Sequence, residues 1–343
     1  MADGAATVHT AVPTAVPTAT TVPTIDIDRD PAVVGREIDD TLRSVGFFQI
    51  VQHGVPDDVA DACWDAAAAF FDLPVEQKLA VEREEGGLYG YFPMRSASLA
   101  ASRGVLTPGD LKESFNMGPT APPSHPFADA DEAALFAPNR WPAALPGMRP
   151  AWEAYFAAMQ SLCARLMSIF ALGLDLPADA FAEAIDGGAG ALRAINYPEQ
   201  RTAPEADQLR AGAHTDYGTL TVLRQQVGRS GLQVFDERTE AWLDVPAVPG
   251  ALVINIGDLM ARWTNDRWTS TLHRVVDGGT GAGAGSGVST RRQSMPFFHN
   301  ASYSAPIEAL PTCIPAGTQP RYEPVLAGPH LAAKSRRSVV APA

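Results

Sequence analysis

Residues 213–225, A-H-T-D-Y-G-T-L-T-V-L-R-Q, set a histidine and an aspartate two positions apart, just ahead of a β-branched run. In an extended segment, residues two apart project from the same side. His214 and Asp216 can therefore aim an imidazole and a carboxylate at one point. An ordinary hydrogen-bonded turn can present the same pair, so partners elsewhere in the chain have to decide.

Around this stretch, from about residue 190 onward, short β-rich runs alternate with turn residues: LRAINY, TLTVLRQ, LQVF, AWLDV, ALVINI, TLHRVV and RQSMPFF. Short strands at regular spacing, without helices between them, predict a sandwich or jelly roll rather than a parallel α/β sheet. The glycine-rich segment GGTGAGAGSG, 278–287, falls between two of these runs and reads as a long hairpin loop.

The amino-terminal half has a different texture. Residues 1–24 repeat Val-Pro-Thr-Ala with almost no charge, a composition that cannot offset its ordering entropy, and read as a flexible tail. Structure is expected to begin at TIDID, a short strand. Asp30-Pro31 then supplies an N-cap and a first-turn proline, and Val34, Ile38, Leu42 and Val45 form an apolar stripe at helical spacing. Gly46 closes that helix, and FFQIV, 47–51, follows as a buried strand. Pro56 opens a second helix reaching about Phe71. A long helix over roughly 147–174 lines up Trp152, Phe156, Met159, Leu162, Leu166 and Phe170. The whole is a mixed α+β chain, helices first and a double-sheet β core after, with residues 25–343 as a single domain and the core at about 190–300.

The bulk numbers narrow the function. The chain has 343 residues, a formal charge of −13 and a pI near 4.9, which argues against a nucleic-acid partner. No apolar run approaches membrane-spanning length, and the first residues lack the charged n-region of a signal peptide. Cys63, Cys163 and Cys313 are widely spaced and odd in number, as expected of buried free thiols in the cytoplasm.

A metal site needs a third ligand. His273 falls inside the apolar run TLHRVV, where a histidine is costly to bury unless something binds it. Two histidines and a carboxylate on a β scaffold form the ligand set of mononuclear non-haem iron(II) centres with open positions; a satisfied core histidine is the competing account of His273. Arg292 and Ser294, also two apart in a strand, can present a guanidinium and a hydroxyl to a ligand carboxylate, or form a structural ion pair.

The order H-T-D, then S-T-L-H-R-V, then R-Q-S-M-P-F-F resembles the isopenicillin N synthase-like family of iron(II)/2-oxoglutarate-dependent oxygenases. So do IDIDRDP, SVGFFQIVQHGVP, LKESFNMGP, INYP and VINIGDLM, which spread the resemblance over nearly the whole chain. It implies a double-stranded β-helix (jelly-roll) core with amino-terminal and flanking helices. It implies iron(II) on His214, Asp216 and His273, with O2 and 2-oxoglutarate as co-substrates. Arg292 and Ser294 would hold the distal carboxylate of 2-oxoglutarate, supported by Tyr197, for which a packed strand aromatic is the alternative. Phe92, Arg95 and Phe298 would line the substrate pocket, Arg95 being equally readable as a surface arginine. Glu113 is expected to be a structural hydrogen-bonding residue, and no catalytic side chain is expected beyond the metal ligands.

The implied reaction is oxidation of a small molecule, most often hydroxylation, with 2-oxoglutarate leaving as succinate and CO2. An iron(II) oxidase that needs no 2-oxoglutarate, performing desaturation or ring closure, and a non-catalytic jelly-roll binding protein are the alternatives. Abundant Ala, Gly, Pro and Arg, with only Lys78, Lys112 and Lys334 as lysines, fits a GC-rich bacterial genome and specialised metabolism such as antibiotic biosynthesis. A monomer or weak homo-oligomer is expected.

Overall fold

The structure, a computed structural model, describes residues 21–96, 98–105, 107–199, 208–229, 231–276 and 290–338. The glycine-rich loop expectation at 278–287 and residues 1–20 of the expected tail lie outside them. Residues 21–24 belong to the fold: Val22 is buried, Pro23 O accepts the Gln49 amide at 2.8 Å, and Thr24 opens the first strand. The boundary expected at residue 24 therefore falls too late.

The amino-terminal half runs β1 (Thr24–Asp26), α1 (Pro31–Leu42), β2 (Phe47–Val51), α2 (Asp57–Phe71), α3 (Val75–Leu79), β3 (Gly90–Phe92), β4 (Glu113–Met117), α4 (Ala130–Leu135), α5 (Met148–Gly173) and α6 (Ala182–Ile185). The β-rich half follows with β5 (Ala191–Tyr197), β6 (Ala211–His214), β7 (Leu220–Gln225), β8 (Leu232–Asp236), β9 (Ala241–Asp244), β10 (Leu252–Ile256), α7 (Asp258–Trp263), β11 (His273–Val275) and β12 (Arg292–His299). A small hairpin of β13 (Pro306–Ile307) and β14 (Val325–Leu326) leads into the closing helix α8 (Ala327–Ser338).

Two sheets make the jelly roll. The larger has eight strands in the order β1-β2-β10-β7-β12-β5-β4-β3; the smaller has four, β6-β11-β8-β9. Side-chain alternation along the larger sheet separates two apolar layers. In β10, Leu252, Ile254 and Ile256 face the helices, whereas Val253 joins Phe47, Ile195, Leu232 and Val275 between the sheets. The strands expected at LRAINY, TLTVLRQ, LQVF, AWLDV, ALVINI, TLHRVV and RQSMPFF all form. The sequence did not announce β3, β4 and β6, nor α7, which breaks the helix-free run of strands. β4 is buried along its whole length yet reads Glu-Ser-Phe-Asn-Met. Its polar side chains are satisfied only by tertiary partners, so no hydrophobic period marks it.

Asp30 caps α1, its carboxylate accepting the Ala32 and Val33 amides at 3.0 Å, with Pro31 at the start of the helix. The buried stripe Val34–Ile38–Leu42 then meets α5. Gly35 makes this crossing close: a Cβ there would lie 2.7 Å from Gly173 N and from Ile169 O. Asp39, on the same helix, accepts Arg267 Nε and Nη2 at 2.9 and 2.8 Å and Trp268 Nε1 at 2.8 Å, tying α1 to the segment before β11. By length and composition alone the 26-residue α5 could cross a membrane, contrary to the expectation that no apolar run approaches that size. In the fold it is a core helix, with Trp152, Phe156, Met159, Leu166 and Phe170 buried.

Candidate metal centre and its cavity

β6 and β11 pair antiparallel, and His214 and His273 are direct partners in that register. Their rings stand with centroids 4.3 Å apart. β6 ends at His214, so Asp216 lies in the following loop rather than in the extended segment expected. Tertiary contacts, not strand alternation, bring it back. Asp216 O accepts the Asp258 amide of α7 at 2.8 Å, and Tyr217 O accepts the Leu259 amide at 3.2 Å. One ligand atom from each of His214, Asp216 and His273 lies within 4.8 Å of the others, the grouping that could hold a metal ion.

Each side chain is fixed by a hydrogen bond made away from its partners. His214 Nδ1 lies 2.8 Å from Gly212 O, and His273 Nδ1 lies 3.1 Å from Thr271 O. A carbonyl only accepts, so both Nδ1 atoms donate, which leaves each ring's Nε2 as the nitrogen for a ligand. Thr221 Oγ1 and Asn255 Nδ2 donate to Asp216 Oδ2 at 2.6 and 2.8 Å. Oδ1 stays turned toward His273, 3.9 Å from its Nε2. Burial, and next the neighbouring His273, pushes His214 down to about 3 and so keeps it neutral. Burial alone would raise Asp216, but the two imidazoles and the Asn255 and Thr221 donors outweigh it and hold the carboxyl below its ordinary range. A neutral His214 beside an ionised Asp216 meets what a divalent cation requires of those two ligands. Phe47 packs edge-on against His273, with centroids 5.2 Å apart.

The trio opens into a cavity of about 360 Å³ between the sheets. Arg292, Ser294 and Tyr197 line the same cavity, and Arg292 and Ser294 are each 2% exposed. The Arg292 guanidinium sits 5.1 Å from the Tyr197 ring centroid and donates from Nη2 to Gln225 Oε1 at 3.2 Å. Among the described residues its Nε and Nη1 have no acceptor in hydrogen-bond geometry. Buried donors of this kind are rare unless something accepts from them, and an anionic acceptor fits. Burial lowers the Arg292 pKa from its ordinary value.

Phe92 and Phe298 are among the residues lining the cavity. Arg95 is not. It is exposed, its backbone bent left-handed at φ 62° just after β3, and the cations on the cavity wall besides Arg292 are Arg83, Lys112 and Arg193. Arg83 lies over the Phe92 ring at 5.0 Å; Arg193 lies over Phe298 at 5.4 Å and donates to Asn116 Oδ1 at 2.9 Å. Lys112 pairs with Asp110 at 3.0 Å. Glu113 is structural, as expected: it accepts from Lys78, Tyr91 and Asn196 at 2.8, 2.6 and 2.7 Å. Reading the sequence missed Asn255, Thr221, Arg193 and Gln225. The asparagine had a signal, being the one polar residue in the strand LVINI.

Comparison with known proteins bears on both halves of the chain. Residues 22–144 match the model described as non-haem dioxygenase in morphine synthesis N-terminal, and residues 189–301 match that of the 2OG-Fe(II) oxygenase superfamily. The 2-oxoglutarate-Fe(II) type oxidoreductase hxnY of Emericella nidulans is 34% identical over 84% of this chain and 80% of its own. Validamycin A dioxygenase of Streptomyces hygroscopicus subsp. limoneus is 34% identical over 86% of this chain and 80% of its own. Among solved structures, full-length Neurospora crassa T7H in complex with alpha-KG and thymine superposes with a TM-score of 0.77 at 29% identity, covering 92% of this chain and 96% of that one.

Proposed function

This chain belongs to the 2OG-Fe(II) oxygenase superfamily, and on that premise we propose that His214, Asp216 and His273 carry its iron and that it hydroxylates a small molecule. It is a 2-oxoglutarate-dependent dioxygenase, with Fe(II) as its metal. The observation that carries the site assignment is the convergence of two imidazoles and a carboxylate in one cavity with a buried arginine, two of whose donors lack acceptors among the described residues.

In this reading His214 and His273 would offer Nε2 and Asp216 would offer Oδ1 to the iron, a two-histidine, one-carboxylate ligand set. When bound, iron and 2-oxoglutarate supply the oxidising chemistry, the co-substrate leaving as succinate and CO2. The rest falls to the protein. Gly212 O and Thr271 O set the imidazole planes through Nδ1. Asn255 and Thr221 stop Asp216 from turning. Arg292, Ser294 and Tyr197 take the distal carboxylate of 2-oxoglutarate, pairing a charge that would otherwise be buried alone. Ile195, Leu223, Leu232 and Val275 line the cavity with apolar surface that keeps water away from the oxidant.

Phe92 and Phe298, with Arg83 and Arg193 stacked on them, form the substrate end. Cations over rings beside Asn116 support a compact polar substrate rather than a greasy one. A bacterial specialised-metabolite pathway is our reading of its context, supported by composition and by the likeness to validamycin A dioxygenase. We place it in the cytoplasm as a monomer or weak homo-oligomer, supported by three free, buried thiols. The test is stoichiometric. Anaerobic Fe(II) and 2-oxoglutarate should give the weak visible charge-transfer band of the chelate, and substrate with O2 should yield one succinate per hydroxylated product. Product without succinate would overturn the reading in favour of a 2-oxoglutarate-independent oxidase.

A further inference from the structure

A second cleft of about 270 Å³ lies behind the proposed co-substrate clamp. Its walls come from α2, α5, the end of β7 and the start of β10, and His53, Trp64, Tyr155, Arg224 and Gln225 are among the residues lining it. Three hydrogen-bond donors on residues of that lining have no acceptor among the described residues: Tyr155 Oη, Arg224 Nη1 and Gln225 Nε2. Tyr155 is 1% exposed and Gln225 7%. A buried donor left unsatisfied is destabilising, so three on residues lining one space call for an acceptor.

The charges define that acceptor. Arg224 has one arm committed, Nη2 donating to Asp61 Oδ1 at 2.5 Å, with its guanidinium over the Trp64 ring at 4.8 Å. The other arm and the tyrosine hydroxyl suit the two oxygens of a carboxylate. Asp57 and Asp61 at the exposed rim repel a second negative group. Val55, Ala60, Val248 and Leu252 offer apolar wall to the remainder of the ligand. We propose that this cleft binds a small monocarboxylate with an apolar body, and that its occupancy tightens 2-oxoglutarate binding through Gln225.

The link runs through one amide. Gln225 Oε1 accepts from Arg292 Nη2 at 3.2 Å, while Nε2 of the same group is one of the three orphan donors. A carboxylate accepting from Nε2 holds the amide in the orientation that keeps Oε1 on Arg292. This coupling rests on the reading of Arg292 as the co-substrate clamp; the cleft's own ligand does not.

Benzoate is the probe, titrated calorimetrically into the anaerobic Fe(II)–2-oxoglutarate form of the full chain, with benzyl alcohol as the uncharged control. Wild type should bind benzoate and ignore the alcohol. Tyr155→Phe, which keeps the ring and so the core, and Arg224→Gln should each weaken benzoate by about tenfold or more, the loss of one charge-assisted hydrogen bond. Arg292→Ala should still bind benzoate, weakened by no more than the several-fold factor by which benzoate and 2-oxoglutarate favour each other. In wild type, saturating benzoate should lower the dissociation constant of 2-oxoglutarate several-fold, and Tyr155→Phe should abolish that effect.

Equal benzoate binding by wild type and Tyr155→Phe, competition with 2-oxoglutarate, or loss of binding in Arg292→Ala would each overturn the site. No binding at tens of millimolar would do the same and leave water as the acceptor. Benzoate binding in the cleft without any change in 2-oxoglutarate affinity would remove the coupling alone. Unaltered 2-oxoglutarate binding by Arg292→Ala would sink the clamp reading and leave the cleft standing.

Discussion

His214 and His273 face each other as direct partners across the β6–β11 pair, their ring centroids 4.3 Å apart and each Nδ1 tied to a backbone carbonyl two residues earlier. With each Nδ1 held by a carbonyl, each ring keeps its Nε2 for a ligand, and burial keeps His214 neutral. His214→Ala or Asp216→Ala should abolish the Fe(II)–2-oxoglutarate band while circular dichroism stays native. Asn255→Ala should retain the band but bind Fe(II) about 10–100-fold more weakly, because Asp216 loses a donor that orients it. A full-strength band in Asp216→Ala would sink the ligand assignment.

Arg292 separates charge from geometry. Arg292→Ala leaves the distal carboxylate of 2-oxoglutarate without a partner in a buried pocket, and should raise its KM by roughly 10²-fold or more, a loss of about 3 kcal/mol. Arg292→Lys keeps the charge but not the fork, so its KM should fall between those of wild type and Arg292→Ala. Similar KM values for Ala and wild type in succinate-release assays would place the carboxylate elsewhere.

His299 ends β12 fully enclosed, with Nδ1 2.7 Å from Thr219 Oγ1, and burial lowers its pKa to about 4 from an ordinary 6.5. The unfolded chain takes up this proton below about pH 6.5, whereas the folded chain refuses it until about pH 4. Stability therefore falls as pH drops through that interval, and above it this group has no effect. His299→Asn should flatten the melting-temperature profile between pH 4 and 6.5 relative to wild type. Parallel profiles for the two proteins would refute the assignment.

Gly35 has no room for a side chain. Gly35→Ala would press a methyl to within 2.7 Å of backbone atoms on α5. The strain of forcing α1 and α5 apart should cost about 1–3 kcal/mol, read as a lower urea midpoint with an unchanged slope. Gly147→Ala, where an added Cβ meets nothing within 4 Å, is the control and should leave the midpoint in place.

Removing residues 1–24 should lower the melting temperature. The cut takes away buried Val22 and the Pro23 carbonyl that accepts the Gln49 amide, along with the first residue of β1. Removing residues 1–20 spares all three contacts and should cost much less.

The sequence by itself determined whatever depends on short-range order. Short β-rich runs between turn residues marked the strands at LRAINY, ALVINI and RQSMPFF, and the Asp30-Pro31 cap placed α1. The spacing of Arg292 and Ser294 put both on one face of β12, because strand alternation is local geometry. The motif order supplied the iron ligand set and the co-substrate clamp as expectations, and the family with them. Tertiary structure decided what lies across strands and loops. Asp216 leaves the strand and reaches His273 only because α7 holds its backbone, while Asn255, from a strand in the other sheet, fixes its carboxylate. β4 is a core strand whose polar side chains find partners only after folding. Arg95 turns out to solvent and Arg193 turns in, a difference set by one left-handed residue and by strand register. The donors of Tyr155, Arg224 and Gln225 meet at one cleft from a helix and a strand remote in sequence. Periodicity reports which face a side chain takes, but which faces meet depends on packing of the whole chain.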